Sequence, residues 1–319
     1  MNPDFRSFCL SHGVVAPEVI LPEKWMRVKT QDHQRKRNGS VKMFADGRVG
    51  LVMNWATMSS PAVWKEGGEQ EARPMDFREV NSRRLERARI TEKAKADALA
   101  YWSRCTPLRG PHPYLANKDL GVEGCSGLRL GPQGELVVPM MIAGKLSSVQ
   151  RIWEGEKRFW PDAPTKGATF TLWRKDSTVT ILCEGLATGL CLYSAVPQAS
   201  VVIAFSAHNM VTVAGWMKPV GMVVICADND AETFQRTGTN PGLEAAQKAA
   251  KLWGCGISIP DCRGSDFQDL LHEKLMAKND DNALAKWKKR PQEIRQIALA
   301  EIRMQVLRSC TFIPPTSSS

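Results

Sequence analysis

The feature that most constrains this chain is a series of near-continuous apolar runs, Val179 to Cys183, Val201 to Phe205, Val223 to Ala227 and Ile257 to Pro260. A strand with one wet face alternates apolar and polar residues, so unalternated runs of this length indicate strands covered on both faces. Helix-like stretches, Ala187 to Ala195 and Pro241 to Trp253, lie between them in the rhythm of βαβ crossovers. Residues 176–275 are therefore expected to form a compact α/β domain with a mostly parallel sheet.

In an open sheet of this kind, ligands sit in the crevice beyond the carboxyl ends of the strands, and three groups of acids fall there. Glu184 follows one apolar run and precedes Gly185, Asp228 and Asp230 follow another, and Asp266 and Asp269 come after the run ending at Pro260. Residues two apart on an extended chain project to the same side, so Asp228 and Asp230 can aim at one spot. Two such charges repel and raise one another's pKa unless a cation sits between them, and Mg²⁺ is the usual hard ion for oxygen ligands. The bland alternatives are real: a D-x-D after a strand can cap a helix or form an Asx turn. Asp266 and Asp269 also have the spacing of a capping box ahead of Leu270.

The chain as a whole is basic. Its formal net charge is +10, with a pI near 9.2, which makes nucleic acid the first partner to consider. Residues 1–70 read as a small β-rich domain with a strand at Val49 to Trp55 and a basic knot, Arg35, Lys36 and Arg37, that either grips phosphate or solvates a hairpin. Residues 76–105 lack Gly and Pro and carry Arg83, Arg84, Arg87 and Arg89, so a largely exposed basic linker helix is expected, its charges either solvated or on nucleic acid. Residues 106–175 read as a mixed α+β segment of strands and tight turns, and 276–319 as a basic helical segment with Lys286, Lys288, Lys289, Arg290, Arg295, Arg303 and Arg308 before a disordered tail.

Nine cysteines occur without a C-x-x-C, which suits reduced thiols in a cytoplasm and removes the paired half-sites of a structural zinc module. Cys9 and His12 keep C-x-x-H spacing, with His33 as a possible third ligand and no evident fourth. No signal-peptide core and no apolar run of ~18 residues is present, so no membrane association is expected. No G-x-x-x-x-G-K-[ST] occurs, so these residues carry no P-loop motor.

The acidic runs resemble the Toprim domain, and most closely its phage and plasmid primase branch: Ile181 to Leu192 is similar to the strand ending in Glu-Gly, Val223 to Asp230 to the strand ending in D-x-D, and Gly264 to Leu271 to the later acidic motif. Residues 112–121 and 136–173 are similar to the segment that precedes the domain in those primases, and residues 1–60, more loosely, to a zinc-free leading domain of some mobile-element primases. The resemblance implies a Toprim fold, α/β with a mostly parallel sheet, preceded by the mixed α+β segment and the β-rich N-terminal domain. It also implies roles. Glu184 would be a general acid/base or metal-organising carboxylate, Asp228 and Asp230 the principal Mg²⁺ (or Mn²⁺) ligands, and Asp266, with Asp269, the third acidic position. Arg151, Lys157, Arg158 and Lys166 would face template or triphosphate, and Asn209 would approach the nucleotide. Two departures stand out: His208 occupies a place where many members have Gly, and Gln268 falls inside the third acidic motif, with Asp269 one place later.

The reading that follows is a DNA primase making short RNA primers on single-stranded DNA from ribonucleoside triphosphates by metal-dependent nucleotidyl transfer, with a separate replicative helicase as partner, in the cytoplasm of a bacterial host. Trp153 and Trp160 are available to stack bases or to pack a core. The rivals are a Toprim nuclease that places water with the same acids, and a non-catalytic replication-accessory protein that binds nucleic acid.

Overall fold

The structure, a computed structural model, describes residues 3–32, 37–67, 77–153, 155–262, 265–277 and 291–314. The chain divides into two compact units, residues 1–77 with 232–239, and residues 78–231 with 240–319.

In the first unit, helix α1 (Pro3–Ser11) packs on an antiparallel meander of β1 (Met26–Val28), β2 (Gly39–Met43), β3 (Val49–Asn54) and β4 (Ala62–Lys65), in that order. Phe5 and Cys9 of the helix are fully buried with Val41, Val52 and Trp64, and the Phe5 and Trp64 rings meet at 5.2 Å. Cys9 is fully buried in this core, and burial pushes its thiol up to about 12; among the described residues no group of three His, Cys, Asp or Glu is placed to hold a metal. His12 turns its Nδ1 back to the Phe8 carbonyl at 2.8 Å. His33, Arg35 and Lys36 lie outside the described residues.

The second unit begins with α2 (Phe77–Arg104), exposed from Arg84 to Ile90 and buried at Ala94, Ala98 and Tyr101, so only its last turns have an apolar face to dock. An antiparallel sheet follows: β5 (Thr106–Pro107), β6 (Arg129–Leu130), β7 (Leu136–Ile142), β8 (Lys145–Trp153) and β9 (Glu156–Phe159), with the short helix α3 (Pro113–Ala116) between β5 and β6.

The parallel sheet comes next. Its strands are β10 (Phe170–Leu172), β11 (Val179–Cys183), β12 (Ala199–Ile203), β13 (Gly221–Cys226) and β14 (Gly256–Ser258), in the order β10-β12-β11-β13-β14. All neighbours run parallel except β10 against β12. Helices α4 (Leu186–Ala195), α8 (Phe267–Ala277) and α9 (Pro291–Arg308) cover one face, and α5 (Ala207–Trp216) and α7 (Pro241–Trp253) the other. Alternation divides the strands between them: Ile181 and Cys183 enter the first core, Leu182 the second. A further helix, α6 (Ala231–Thr237), follows β13.

The core departs from the expected segmentation. One apolar cluster joins Leu136, Val138, Met140 and Ile152 of the antiparallel sheet to β11, β12 and α4, and β10 from the upstream segment is itself a strand of the parallel sheet. The helical C-terminal segment contributes to this core: Ile294, Ala298, Leu299, Ile302 and Val306 of α9 are buried, the last four in that same cluster, and β15 (Thr311–Ile313) pairs antiparallel with β13. Residues 278–290 and 315–319, with Lys286, Lys288, Lys289, Arg290 and the expected disordered tail, lie outside the described residues. Among the described residues no helix is long and apolar enough to cross a membrane.

Candidate functional site

Strands β11 and β13 are adjacent and parallel, with Leu182 beside Ile225, so Glu184 and Asp228 leave the sheet at the same edge. Next door, β12 ends in step. Ala204 donates its N–H to the Cys183 carbonyl at 2.9 Å and Phe205 to that of Glu184 at 2.7 Å. Phe205 does so at φ +69°, a left-handed conformation that costs a non-glycine residue roughly 1–3 kcal/mol and persists where packing over-determines it.

The D-x-D loop is clasped from both sides. Between the two acids, Asn229 donates its backbone N–H to the Ser265 carbonyl at 2.6 Å, and its Oδ1 accepts from Asn240 Nδ2 at 3.0 Å. Asn240 caps α7 by accepting from Leu243 N at 3.1 Å, and the same oxygen accepts from Asp230 N at 3.3 Å. Asp230 in turn accepts from Gly242 N at 3.3 Å, which sets its carboxylate at the positive end of α7. Helix and loop approach so closely that a Cβ on Gly242 would lie 2.6 Å from the Asp228 carbonyl oxygen. Asn240 and Gly242 were not singled out from the sequence, though Asn-Pro-Gly is a legible helix start with Pro at the first position.

This geometry concentrates negative charge in a place with little water. Burial, then Glu184, Asp266 and Asp230, raise the Asp228 carboxyl to about 8. Burial and then Asp230 also raise Glu184, against the opposing pull of the Ala207 N–H and Lys157. One buried oxygen of Asp228, Oδ1, has no hydrogen-bond partner. An orphaned carboxylate oxygen beside three more acids is a donor set that fits a hard divalent cation. Among the described residues no three acidic, His or Cys side chains close around one point. An ion here would complete its shell with water or phosphate, as Mg²⁺ commonly does.

The two later acids separate. Asp266 caps α8, its Oδ1 accepting from Gln268 N at 2.7 Å and Asp269 N at 2.9 Å. Its other oxygen accepts from Thr188 Oγ1 at 3.1 Å, and its charge reaches both Asp228 and Glu184. Asp269 turns back instead, one oxygen taking Ser265 N at 2.8 Å, Ser265 Oγ at 3.3 Å and Asp266 N at 3.4 Å. Asp269 thus makes the return hydrogen bond of a capping box, one of the two readings its spacing offers.

Strand alternation sorts the basic residues. Lys157 stands opposite Ile152 and Phe159 opposite Gln150, on the face that carries the shared core. Lys157 thus addresses the acids: its charge pulls on Glu184 and Asp228, and its Nζ lies 5.7 Å from the Tyr114 ring centre. Arg151 and Arg158 are opposite each other on the other face. Arg151 sits among Tyr101, Trp153 and Trp160, at 5.8, 5.2 and 4.8 Å from their ring centres, and Arg158 pairs with Glu156 at 2.7 Å. Lys166 is exposed in the loop before β10.

Asn209 lies inside the first turn of α5 rather than at a strand end, and it is 7% exposed. Its Nδ2 donates to the carbonyls of Ala168 (2.9 Å) and Ala204 (2.7 Å), and its Oδ1 accepts from Gly167 N at 2.6 Å. Both polar atoms of the side chain hold backbone.

Comparison with known proteins places this site. A DNA primase TraC from Escherichia coli is 28% identical over 262 residues, 76% of this chain and 24% of that protein. A second TraC primase from the same species is 26% identical over 225 residues, 67% of this chain and 15% of its own length. The chain therefore spans a quarter or less of these relatives. The primase fragment of the bacteriophage T7 primase-helicase protein aligns with a TM-score of 0.38 at 13% identity, over 54% of this chain and 71% of that one. The Toprim domain family matches residues 179–277, from the first residue of β11 to the last of α8. That stretch, with Glu184, Asp228 and Asp230 just beyond its strand ends and Asp266 at the start of α8, is the part of the chain that matches the Toprim domain.

Proposed function

We propose that this chain is the catalytic part of a DNA primase, an enzyme that joins ribonucleotides into short primers on single-stranded DNA. The observation that carries the reading is that Lys157, on β9 upstream of residues 179–277, stands on the face of its sheet that shares the core with β11 and β12, where its charge opposes the raised carboxyls of Glu184 and Asp228. A nucleotidyl transferase needs such a cation for the triphosphate of the incoming nucleotide. Similarity to proteins named as primases also extends over 262 residues, well beyond the 179–277 match.

Divalent metal chemistry goes with a Toprim domain, and Asp228 and Asp230, with Glu184 and Asp266 beside them, would hold Mg²⁺ (or Mn²⁺), which neutralises phosphate charge when bound. The chain's own groups do the rest. Lys157 orients the triphosphate and balances the charge of the leaving pyrophosphate. Glu184, its carboxyl raised by burial and by Asp230, is suited to take the proton of the attacking 3′-hydroxyl on its side-chain oxygen. The Asn240 and Gly242 clasp fixes Asp228 and Asp230 in advance, so little reorganisation is needed as the nucleotide arrives. The reading includes a replicative helicase supplied as a separate chain and a cytoplasmic setting in a bacterial host.

The test is to incubate the protein with single-stranded DNA, labelled ribonucleotides and Mg²⁺ or Mn²⁺. Short labelled oligoribonucleotides that disappear in Asp228→Ala are expected. DNA shortened in the absence of nucleotides would instead identify a nuclease, and binding without either product an accessory protein.

A further inference from the structure

Tyr114 stands beside the acids with a polar atom that the fold does not use. Its ring belongs to the shared core together with Leu115, and the residue is 7% exposed. Its hydroxyl oxygen is buried without a hydrogen-bond partner. A phenylalanine would fill the same core without burying an unpaired hydroxyl, so packing explains the ring and not the oxygen.

Three elements converge on this side chain. The first is α3, fixed by the buried His112, whose Nδ1 accepts from Tyr114 N at 3.1 Å while its Nε2 donates to the Gly134 carbonyl at 2.9 Å. Asp119, at φ +52°, then ties the same loop to α8 and α9: its Oδ2 is hydrogen-bonded to His272 Nδ1 at 2.6 Å, and its carbonyl accepts from Arg295. The second element is α8, which starts at Asp266, and the third is β9, which supplies Lys157 with its Nζ 5.7 Å from the Tyr114 ring centre. Burial raises the phenol, Lys157 pulls it back and Asp266 pushes it up further, so the hydroxyl lies in the field of a cation and of an anion. A phenol can answer both, accepting from an ammonium and donating to a carboxylate. Lys157 is exposed, and among the described residues it has no carboxylate within ion-pair distance. A flexible four-carbon stem must be held before it can present its charge at one point.

We propose that Tyr114 is a positioning residue for Lys157: its ring seats the ammonium, and its hydroxyl accepts from that ammonium and donates to Asp266, so that cation and acid meet the incoming triphosphate as one unit. The inference rests on the reading in which Lys157 serves the nucleotide, and it deepens that reading by giving the lysine a fixed place.

The test is a double-mutant cycle on the full chain, with ATP and Mg²⁺ as the probe and calorimetry as the readout, over the parent, Tyr114→Phe, Lys157→Ala and the two combined. Tyr114→Phe keeps the ring and should weaken ATP binding about fivefold, the scale of one hydrogen bond. Without nucleotide it should melt at or above the parental temperature, because it removes a buried group that lacks a partner. The combined variant should bind within about twofold of Lys157→Ala alone, since the hydroxyl acts through that ammonium. Parental affinity in Tyr114→Phe, a lowered melting temperature with no loss of ATP, or losses that multiply in the combined variant overturns the inference, as does a parent that binds no ATP. Primer synthesis by the parent on single-stranded DNA is scored in parallel. Primers made by the parent, with parental ATP affinity in Tyr114→Phe, sink the seat and leave the primase, whereas a coupled loss of ATP binding in a protein that makes no primers does the reverse.

Discussion

Lys157 and Arg158 are neighbours on β9, alike in charge and exposure, yet they meet different surroundings. One stands opposite Ile152 and pulls on the Toprim acids, and the other stands opposite Arg151 on the other face. The difference comes from strand geometry alone, since successive side chains point to opposite faces. A run of basic residues in a strand is thus two sets in alternation, and only the pairing register tells which set meets the acids.

The widest separation should come from removing each cation in turn. Lys157→Ala should raise the nucleotide KM about tenfold to a hundredfold, the scale of losing a charge-assisted contact. Arg158→Ala should leave it within about twofold, and steady-state kinetics of primer synthesis distinguishes the two.

A second test concerns the acids that Lys157 faces. In the metal-free protein the Asp228 carboxyl is raised from 3.8 to about 8, so below that pH it holds a proton that Mg²⁺ must displace. Calorimetry in buffers of different ionisation enthalpy should show about one proton released per Mg²⁺ at pH 7, with affinity rising towards pH 8 and then levelling. The same shift fixes the sign of a stability effect. The folded state binds the proton more tightly than the unfolded chain, so this group's contribution is present below about pH 4 and is lost as pH rises through about 8. Asp228→Asn should flatten that slope in metal-free thermal melts.

The smallest effect belongs to the acid that does not face the site. Asp269→Ala should cost about 1 kcal/mol of stability in denaturant melts, the worth of a helix cap, with Mg²⁺ affinity nearly unchanged.

Much of this was legible in the sequence. Unalternated apolar runs marked β11, β12 and β13, and their ends located Glu184, Asp228 and Asp230, because burial on both faces leaves so plain a signature. The spacing of Asp266 and Asp269 gave both of their readings, and only hydrogen bonds divided them, Asp269 being consumed by Ser265 N while Asp266 keeps an oxygen towards Thr188. Register was not legible, so Arg151 and Arg158 were grouped with Lys157. Asn209 looked available because an amide reads the same whether it meets a ligand or the Ala168 carbonyl. In the C-terminal segment, charge drew attention away from Ile294, Ala298, Ile302 and Val306, whose four-residue spacing marks one buried face.

The most direct measurement is photolabelling with a ribonucleoside triphosphate that carries its reactive group on the γ-phosphate, in the presence of Mg²⁺ and single-stranded DNA, with the labelled peptide sequenced. Label on Lys157 or its neighbour Tyr114, lost on chelation of the metal, is expected if the inner face serves the nucleotide. Label on Arg151, Arg158 or Lys166 would contradict the assignment of the nucleotide to that face.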